Sequence, residues 1–326
     1  MILSSAAGGT PATLARTQTL ELVRVTERAA IAAALWRGKG DEQAADAAAV
    51  KAMHDELSRL DVAGTIVIGE GDPGEASMLY LGESIGSGNG PAVDIAVDPL
   101  EGTTLCAKNQ PDSISVLAIA ERGGLLHAPD IYMTKVAIGA GYPSGLVDLD
   151  QSPIDNVRAL AKAKGVPATE ITACVLDRPR HAALIEDLRV AGVAVKLISD
   201  GDIAGIIHAT NTEESGIDIY LGSGGAPEGV LAAAALRCIG GQMQGRLILD
   251  TPEKRDHALR IGITDLNRKY DVTDMASGEV MFAATGVTDG SLLNGVRVRK
   301  QHIITSTIVM RSWSQTVRWI TTRHAR

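Results

Sequence analysis

The sequence predicts an α/β protein, with an α+β N-terminal half followed by an α/β C-terminal half. Three observations lead there. Hydrophobic residues make up 45% of the 326-residue chain but aromatics only 3%, so the core must be built from Ala, Val, Ile and Leu, which suits layers of helix on sheet. Near the N-terminus, two stretches with apolar residues at helical spacing precede a series of strand-like segments. Beyond about residue 153 short strands alternate with helices, the rhythm of βαβ units.

Residues 1–18 read as a flexible lead-in. The opening "MILSSAAGGTPATLARTQTL" has neither the basic region nor the long apolar core of a signal segment, and no window reaches the ~20 apolar residues of a membrane span. Over 17–36, Leu20, Val23, Ala30 and Ala34 recur at helical spacing until Gly38 and Gly40 stop the pattern. A second helix is expected over 41–60, with Ala49, Met53, Leu57 and Leu60 on one side and Asp46 among alanines. Strands over 64–70, 92–98, 114–120 and 131–138 then give a mostly antiparallel or mixed sheet. The second half predicts helix 154–164, strand 171–176, helix 181–191 and strand 193–198. "GIDIYLGSGGAPEGV" reads as a strand, a Gly-rich turn and a helix with Pro227 in its first turn. "VMFAATG", "ITSTIVMRS" and "TVRWITT" close the chain as strands. A soft boundary near Gly165 separates an α+β domain, 19–165, from an α/β domain, 166–326.

The formal net charge of −8 excludes a nucleic-acid partner, because binding a phosphate backbone requires clustered Lys and Arg. Cys106, Cys174 and Cys238 have no CxxC spacing and each lies in an apolar neighbourhood. They read as reduced packing residues of a cytoplasmic protein.

Chemistry concentrates in carboxylates at the ends of elements. In "DIAVDPLEGTTL", Asp98 and Glu101 follow an apolar strand, Pro99 forces the chain out of it, and Gly102 lets backbone approach a ligand closely. The Gly102 and Thr103 amides open a helix toward an anion. Asp46 in "QAADAAAV" is a poor helix former on a face that should pack, and therefore needs a partner. Glu70 in "TIVIGEGD" and Glu228 in "GSGGAPEGV" have plain alternatives, a solvated strand end and a favourable charge at a helix N-terminus. Oxygen ligands with few histidines suit Mg²⁺ or Mn²⁺ and fit Zn²⁺ poorly.

At these residues the chain resembles the lithium-sensitive, metal-dependent sugar-phosphatase superfamily, whose signature is Asp-Pro-(Ile/Leu)-(Asp/Glu)-Gly-(Thr/Ser). Within it the sequence is most similar to the class II fructose-1,6-bisphosphatases. "ELVRVTERAA", "GTIVIGEGD", "MLYLGE", "DIAVDPLEGTT", "APDIYMTK", "DRPRH", "LISDGD", "GGAPEGV", "FAATGVTDGSLL" and "TSTIVMRS" occur as family segments in order, from about Thr19 onward.

The resemblance implies a layered αβαβα fold and two or more Mg²⁺ or Mn²⁺ ions. Asp46 and Glu70 would hold one ion, and Asp98, Glu101 and Glu228 another. It makes Thr103, with Glu101, catalytic. The sugar bisphosphate would be lined by Glu101-Gly102-Thr103, Tyr132, Arg178-Pro179-Arg180, Asp200-Gly201-Asp202 and Gly225. The implied reaction is hydrolysis of the 1-phosphate of fructose 1,6-bisphosphate, by a homo-oligomer in gluconeogenesis or a Calvin-type cycle. Sedoheptulose 1,7-bisphosphate is the alternative substrate; an inositol-monophosphate-type phosphatase and a non-catalytic metabolite sensor rank lower. The chain departs from the family pattern at Glu42, where many members have Lys, at Gly74 for Asp, at Ala47 for Gly and at Ser77 for Pro.

Overall fold

Two sheets share the strands of the computed structural model, which describes Leu14 and residues 18–326. Helices α1 (Gln18–Ala34) and α2 (Glu42–Leu57) come first. The Asp41 carboxylate starts α2 by accepting from the Ala44 amide at 2.9 Å. Strands β1 (Ala63–Ile68), β2 (Ser84–Ile85) and β3 (Ala92–Glu101) lead into the one-turn α3 (Thr103–Ala107) and then β4 (Ile114–Glu121). Next come β5 (Tyr132–Ile138), α4 (Pro153–Lys164), β6 (Thr172–Leu176), α5 (Ala182–Val190), β7 (Ala194–Ile198), α6 (Asp202–His208) and α7 (Thr212–Ser215). Strand β8 (Ile219–Gly225) runs straight into α8 (Ala226–Ile239), followed by β9 (Gln242–Leu247), α9 (Pro252–Arg260), β10 (Tyr270–Asp271) and α10 (Val272–Met275). The chain closes with β11 (Val280–Gly286), β12 (Arg297–Val298), β13 (His302–Arg311) and β14 (Thr316–Ala325).

The first sheet has the order β12-β13-β11-β4-β3-β1-β2, with β14 on β13. It is antiparallel except for β1 beside β3. The second has the order β10-β9-β5-β8-β6-β7, with β6 parallel to β7 and β8. The mixed character of the first sheet and the βαβ unit β6-α5-β7 match the sequence reading, but the strand expected over 131–138 does not join that sheet. Instead β5 pairs with β8 and β9 in the second, and β11, β13 and β14 from the end of the chain extend the first. The expected boundary at Gly165 falls just after α4, inside the run that builds the second sheet.

Strand alternation sorts the layers. On β4, Val116, Ala118 and Ala120 face inward while Leu117 and Ile119 face α1 and α2. On β5, Met133 and Ala137 face inward, and Val136 and Ile138 face α4 and α5. Between the sheets lie α6 and α8, and the run Val230–Leu236 of α8 is buried on every side, as a helix between two sheets must be. The order is therefore helices, sheet, helices, sheet, helices: αβαβα.

Several expectations change. Leu20 is 59% exposed; the buried stripe of α1 is centred on Leu22, Ala29 and Ala33, and Leu20 lies about 200° from Leu22 around the helix. Pro99 does not end its strand. The register to β4 shifts between Asp98 and Glu101, so Pro99 and Leu100 form a bulge in which the missing amide proton breaks no ladder bond. The glycines of "GSGG" form no turn but pair with β5 to the end of β8. Of the lead-in, residues 1–13 and 15–17 lie outside the described residues. Leu14 is buried, its amide donating to Glu279 and its carbonyl accepting from Arg311. The three cysteines are free and buried, and burial raises their thiols to about 11 for Cys106 and about 12 for Cys174 and Cys238. Among the described residues no helix is long and apolar enough to cross a membrane.

Candidate active site

A cavity of about 460 Å³ opens where the end of β3 meets the first turns of α6 and α8. On β3, Asp98 continues the inward-facing series of Asp94 and Ala96, placing a carboxylate where the middle layer begins. The bulge then turns Glu101 into the same cavity. Gly102 follows at φ +76°, where a Cβ would come within 2.9 Å of Leu105, and Thr103 opens α3 on the cavity wall. Asp46 from α2, Glu70 just past β1 and Glu228 from the first turn of α8 complete the acidic lining. Gly225 leaves room for Glu228: a Cβ there would overlap Glu228 Oε2 and force the carboxylate to shift.

Electrostatically this cluster is under load. Burial, and then Glu228, Glu70 and Asp46, push the Asp98 carboxyl well above its ordinary value. Glu101 is raised well above its own by burial, then by Asp98, Asp202 and Glu228. Burial and Asp202 raise Glu228, which Lys135 partly offsets. Burial lifts Asp46, and burial with Asp46 lifts Glu70 to about 7.

Glu101 Oε1 accepts from the Ile203 amide at 3.2 Å, whereas Oε2 of Glu101 and Oε2 of Glu228 are buried without a partner. Unpartnered carboxylate oxygens among mutually repelling acids are a donor set suited to hard divalent cations. The acids share a cavity wall rather than a point: among the described residues no three His, Cys, Asp or Glu groups are drawn together closely enough to hold one ion as they stand.

The same cavity holds cations. Arg178 faces Asp200 at 3.5 Å. Arg180 donates to Ser223 Oγ at 3.1 Å and Ser223 O at 2.8 Å, and stacks 4.4 Å over the half-exposed Tyr132 ring. Asp200 and Asp202 flank Gly201, whose φ of +81° makes the turn. Tyr132, Arg178, Arg180, Asp200, Asp202 and Gly225 line the cavity; Pro179 is exposed and outside the lining, and Gly201 is buried and lines a neighbouring cavity instead.

His181, read from sequence as either a phosphate contact or an exposed helix start, is neither. It is buried, its Nδ1–H donating to Leu176 O at 2.8 Å and its Nε2 accepting from the Ser223 amide at 2.9 Å. Burial lowers its pKa, so it stays neutral and braces the strand that carries Ser223. Sequence reasoning missed Asp130 in the lining and the buried Lys135, whose Nζ lies 2.6 Å from Asp202 Oδ2. The signal for Lys135 was a lysine at a strand position shared with Met133 and Ala137.

One stability prediction follows from Glu70. Its folded value of about 7 against an ordinary 4.5 means that the metal-free fold binds an extra proton between those values, so the stability Glu70 contributes is fully present below about 4.5 and is lost as pH rises through about 7. Thermal denaturation of metal-free protein should show Tm falling between pH 5 and 8, with a smaller fall in Glu70→Gln. Added Mn²⁺ should restore Tm at pH 8 and do little at pH 5. An equal fall in both proteins would discount the Glu70 contribution.

Comparison with known proteins supplies the context. Residues 16–324 match the family model for glpX-encoded bacterial fructose-1,6-bisphosphatase. A Synechococcus sp. (strain JA-3-3Ab) protein named D-fructose 1,6-bisphosphatase class 2/sedoheptulose 1,7-bisphosphatase is 46% identical over 330 residues, covering 94% of each chain. A Prochlorococcus marinus (strain NATL1A) protein of the same name is 43% identical over 323 residues, covering 95% of this chain and 96% of its own. With a family match over nearly its whole length and an acidic cavity formed by the signature turn, the chain belongs to the glpX-type bacterial fructose-1,6-bisphosphatase family.

Proposed function

We propose that the protein hydrolyses the 1-phosphate of fructose 1,6-bisphosphate to fructose 6-phosphate and inorganic phosphate, using two or more Mg²⁺ or Mn²⁺ ions. The observation that carries this reading is a single cavity holding both a cluster of mutually repelling carboxylates and a separate arginine pair. An acid cluster suits a metal-assisted reacting phosphate, and the arginines suit a second phosphate that does not react. Asp46, Glu70, Asp98, Glu101 and Glu228 would hold the ions, which when bound acidify water and neutralise charge on the phosphoryl and leaving oxygens. The Thr103 hydroxyl orients the attacking water, and Glu101, held by the Ile203 amide, stands near to take its proton. An O–P bond forms to water as the bond from phosphorus to the sugar O1 breaks; the water's proton goes to Glu101, and O1 takes a proton from solvent water as it leaves as the alcohol. Asp200 and Asp202 accept from sugar hydroxyls.

Sedoheptulose 1,7-bisphosphate is the second reading, supported by the double name of the relatives; one added hydroxymethylene is a small difference to reject. We place the reaction in the cytoplasm, in gluconeogenesis or a Calvin-type cycle. Self-association is part of the proposal, supported by the exposed Trp313 and Trp319. The deciding experiment measures phosphate release from purified protein with Mn²⁺ or Mg²⁺ on both bisphosphates, fructose 1-phosphate and inositol monophosphate. Preference for inositol monophosphate, or no release at all, would reject the proposal.

The arginines give a sharper expectation. Arg178→Ala and Arg180→Ala should lower kcat/KM for fructose 1,6-bisphosphate tenfold to a hundredfold, the equivalent of losing a charge-assisted bond of ~1.5–3 kcal/mol. Fructose 1-phosphate, which lacks only the distal group, should suffer much less. Equal losses on both substrates would move the arginines to the reacting phosphate.

A further inference from the structure

Lys135 has no role in the reading above, yet it is the buried cation beneath the acidic cavity. It sits on β5 at a position that faces the middle layer with Met133 and Ala137, and its side chain is fully buried. The space for it is cut by glycines. Its cross-strand neighbours are Gly222 on β8 and Gly245 on β9, where an added Cβ would meet His181 and Met133; the glycines that border the lysine itself are Gly229 and Gly224. A Cβ on Gly229 would come within 3.2 Å of Lys135 Cε, and one on Gly224 within 3.3 Å of its Nζ. A channel this narrow fits an unbranched alkyl chain and holds the ammonium at one point.

That point is Asp202. Nζ donates to Asp202 Oδ2 at 2.6 Å, Tyr220 Oη lies 3.5 Å from the same oxygen, and Gly224 lacks the Cβ that would overlap it. Asp202 is the first residue of α6, and the next amide, Ile203 N–H, donates to Glu101 Oε1. Asp202 and Glu101 are both buried acids that repel each other. The bond from Lys135 to Asp202 ties the first turn of α6 to β5; with that bond gone the turn, and the Ile203 amide with it, is free to shift away from Glu101.

We propose that Lys135 is a positioning residue for phosphate hydrolysis: through Asp202 it holds the first turn of α6 so that the Ile203 amide orients Glu101. The assignment rests on the proposed phosphatase reading for its kinetic consequence, but its structural consequence can be read independently. Lys135→Met keeps the length and apolar volume of the side chain and removes the charge. Hydrogen exchange should show the Ile203 amide exchanging about tenfold faster or more, as expected when a protecting hydrogen bond opens, while the β5 amides keep wild-type protection.

In kinetics, kcat should fall about a hundredfold, the scale of a small misplacement transmitted from outside the reacting groups. The loss should appear equally with fructose 1,6-bisphosphate and with p-nitrophenyl phosphate, which has no sugar hydroxyls for Asp202 to bind. A loss confined to the sugar phosphate would mean that Lys135 only aims Asp202 at the sugar, and would overturn the route through Glu101. Wild-type exchange at Ile203 would overturn it as well.

If wild-type protein releases phosphate from neither compound, the proposed function fails, and the Ile203 amide alone decides the Lys135 assignment. Should Lys135→Met not fold, because an acid is left buried without its partner, Lys135→Met/Asp202→Asn removes both charges. Fast exchange at Ile203 is expected there too, and wild-type protection would refute the proposal.

Discussion

Asp98→Asn is expected to abolish phosphate release while leaving the fold as stable as the wild type, or more stable, in the absence of metal. The reason for the loss is charge. Asp98 lies among the acids of the cluster, with Glu228, Glu70 and Asp46 all acting on it, and an amide in its place should weaken the proposed cation site. The reason for the retained stability is the same crowding. A buried carboxylate raised far above its ordinary pKa costs the metal-free fold stability at neutral pH, and asparagine relieves that repulsion. Its side-chain oxygen can still accept from the Leu100 amide, as Asp98 does at 3.2 Å. Three measurements test this together: phosphate release with added Mn²⁺, Tm without metal, and the gain in Tm on adding Mn²⁺. The variant should lose the first and most of the third. Release at more than a few per cent of the wild-type rate, or full wild-type activity after EDTA treatment, would reject the metal assignment.

Thr103→Ala should lower kcat by about two to four orders of magnitude, the range for loss of a positioned proton-transfer partner. KM should change little, because the hydroxyl acts mainly in the transition state. The structural basis is local. Thr103 begins α3 directly after the positive-φ Gly102, half-buried on the cavity wall next to the buried Glu101. Alanine is a good helix former, so α3 should survive the change. Thr103→Ser, which keeps the hydroxyl, should recover activity to within about tenfold of the wild type. If alanine and serine behave alike, the hydroxyl has no part in the reaction and Thr103 serves only to start the helix.

Most of the helices and strands of this α/β chain were legible in its sequence, because helix and strand periods are local signals, whereas their αβαβα layering was implied only by the family resemblance. The aliphatic composition, the helical spacing before residue 60 and the βαβ rhythm after residue 153 correspond to the elements found. Asp46, Asp98 and Glu101 were legible for a related reason: a carboxylate in an alanine-rich helix or in the turn after an apolar strand contradicts its surroundings, whereas Glu70 and Glu228 had plain local readings and were drawn in by the family resemblance. What sequence could not supply was direction. Period alone put Leu20 on the buried face of α1, but the sheet beneath sets which stripe is covered, and Leu20 is left in solvent. Pro99 and the "GSGG" glycines carry strong local signals for ending a strand. Those signals yield to tertiary pairing: a bulge removes the need for the Pro99 amide, and the glycines stay extended so that Asp202 and Glu228 can approach the backbone. Lys135 and His181 show the same limit from the other side. Each is ordinary in its own segment, and each becomes meaningful only when distant residues, Asp202 for one and Ser223 for the other, are brought to it. Sequence by itself determined most of the elements and marked the carboxylates that stand out of place on them. Tertiary structure decided which of them share a cavity, because burial, charge repulsion and hydrogen bonding between segments a hundred residues apart have no local trace.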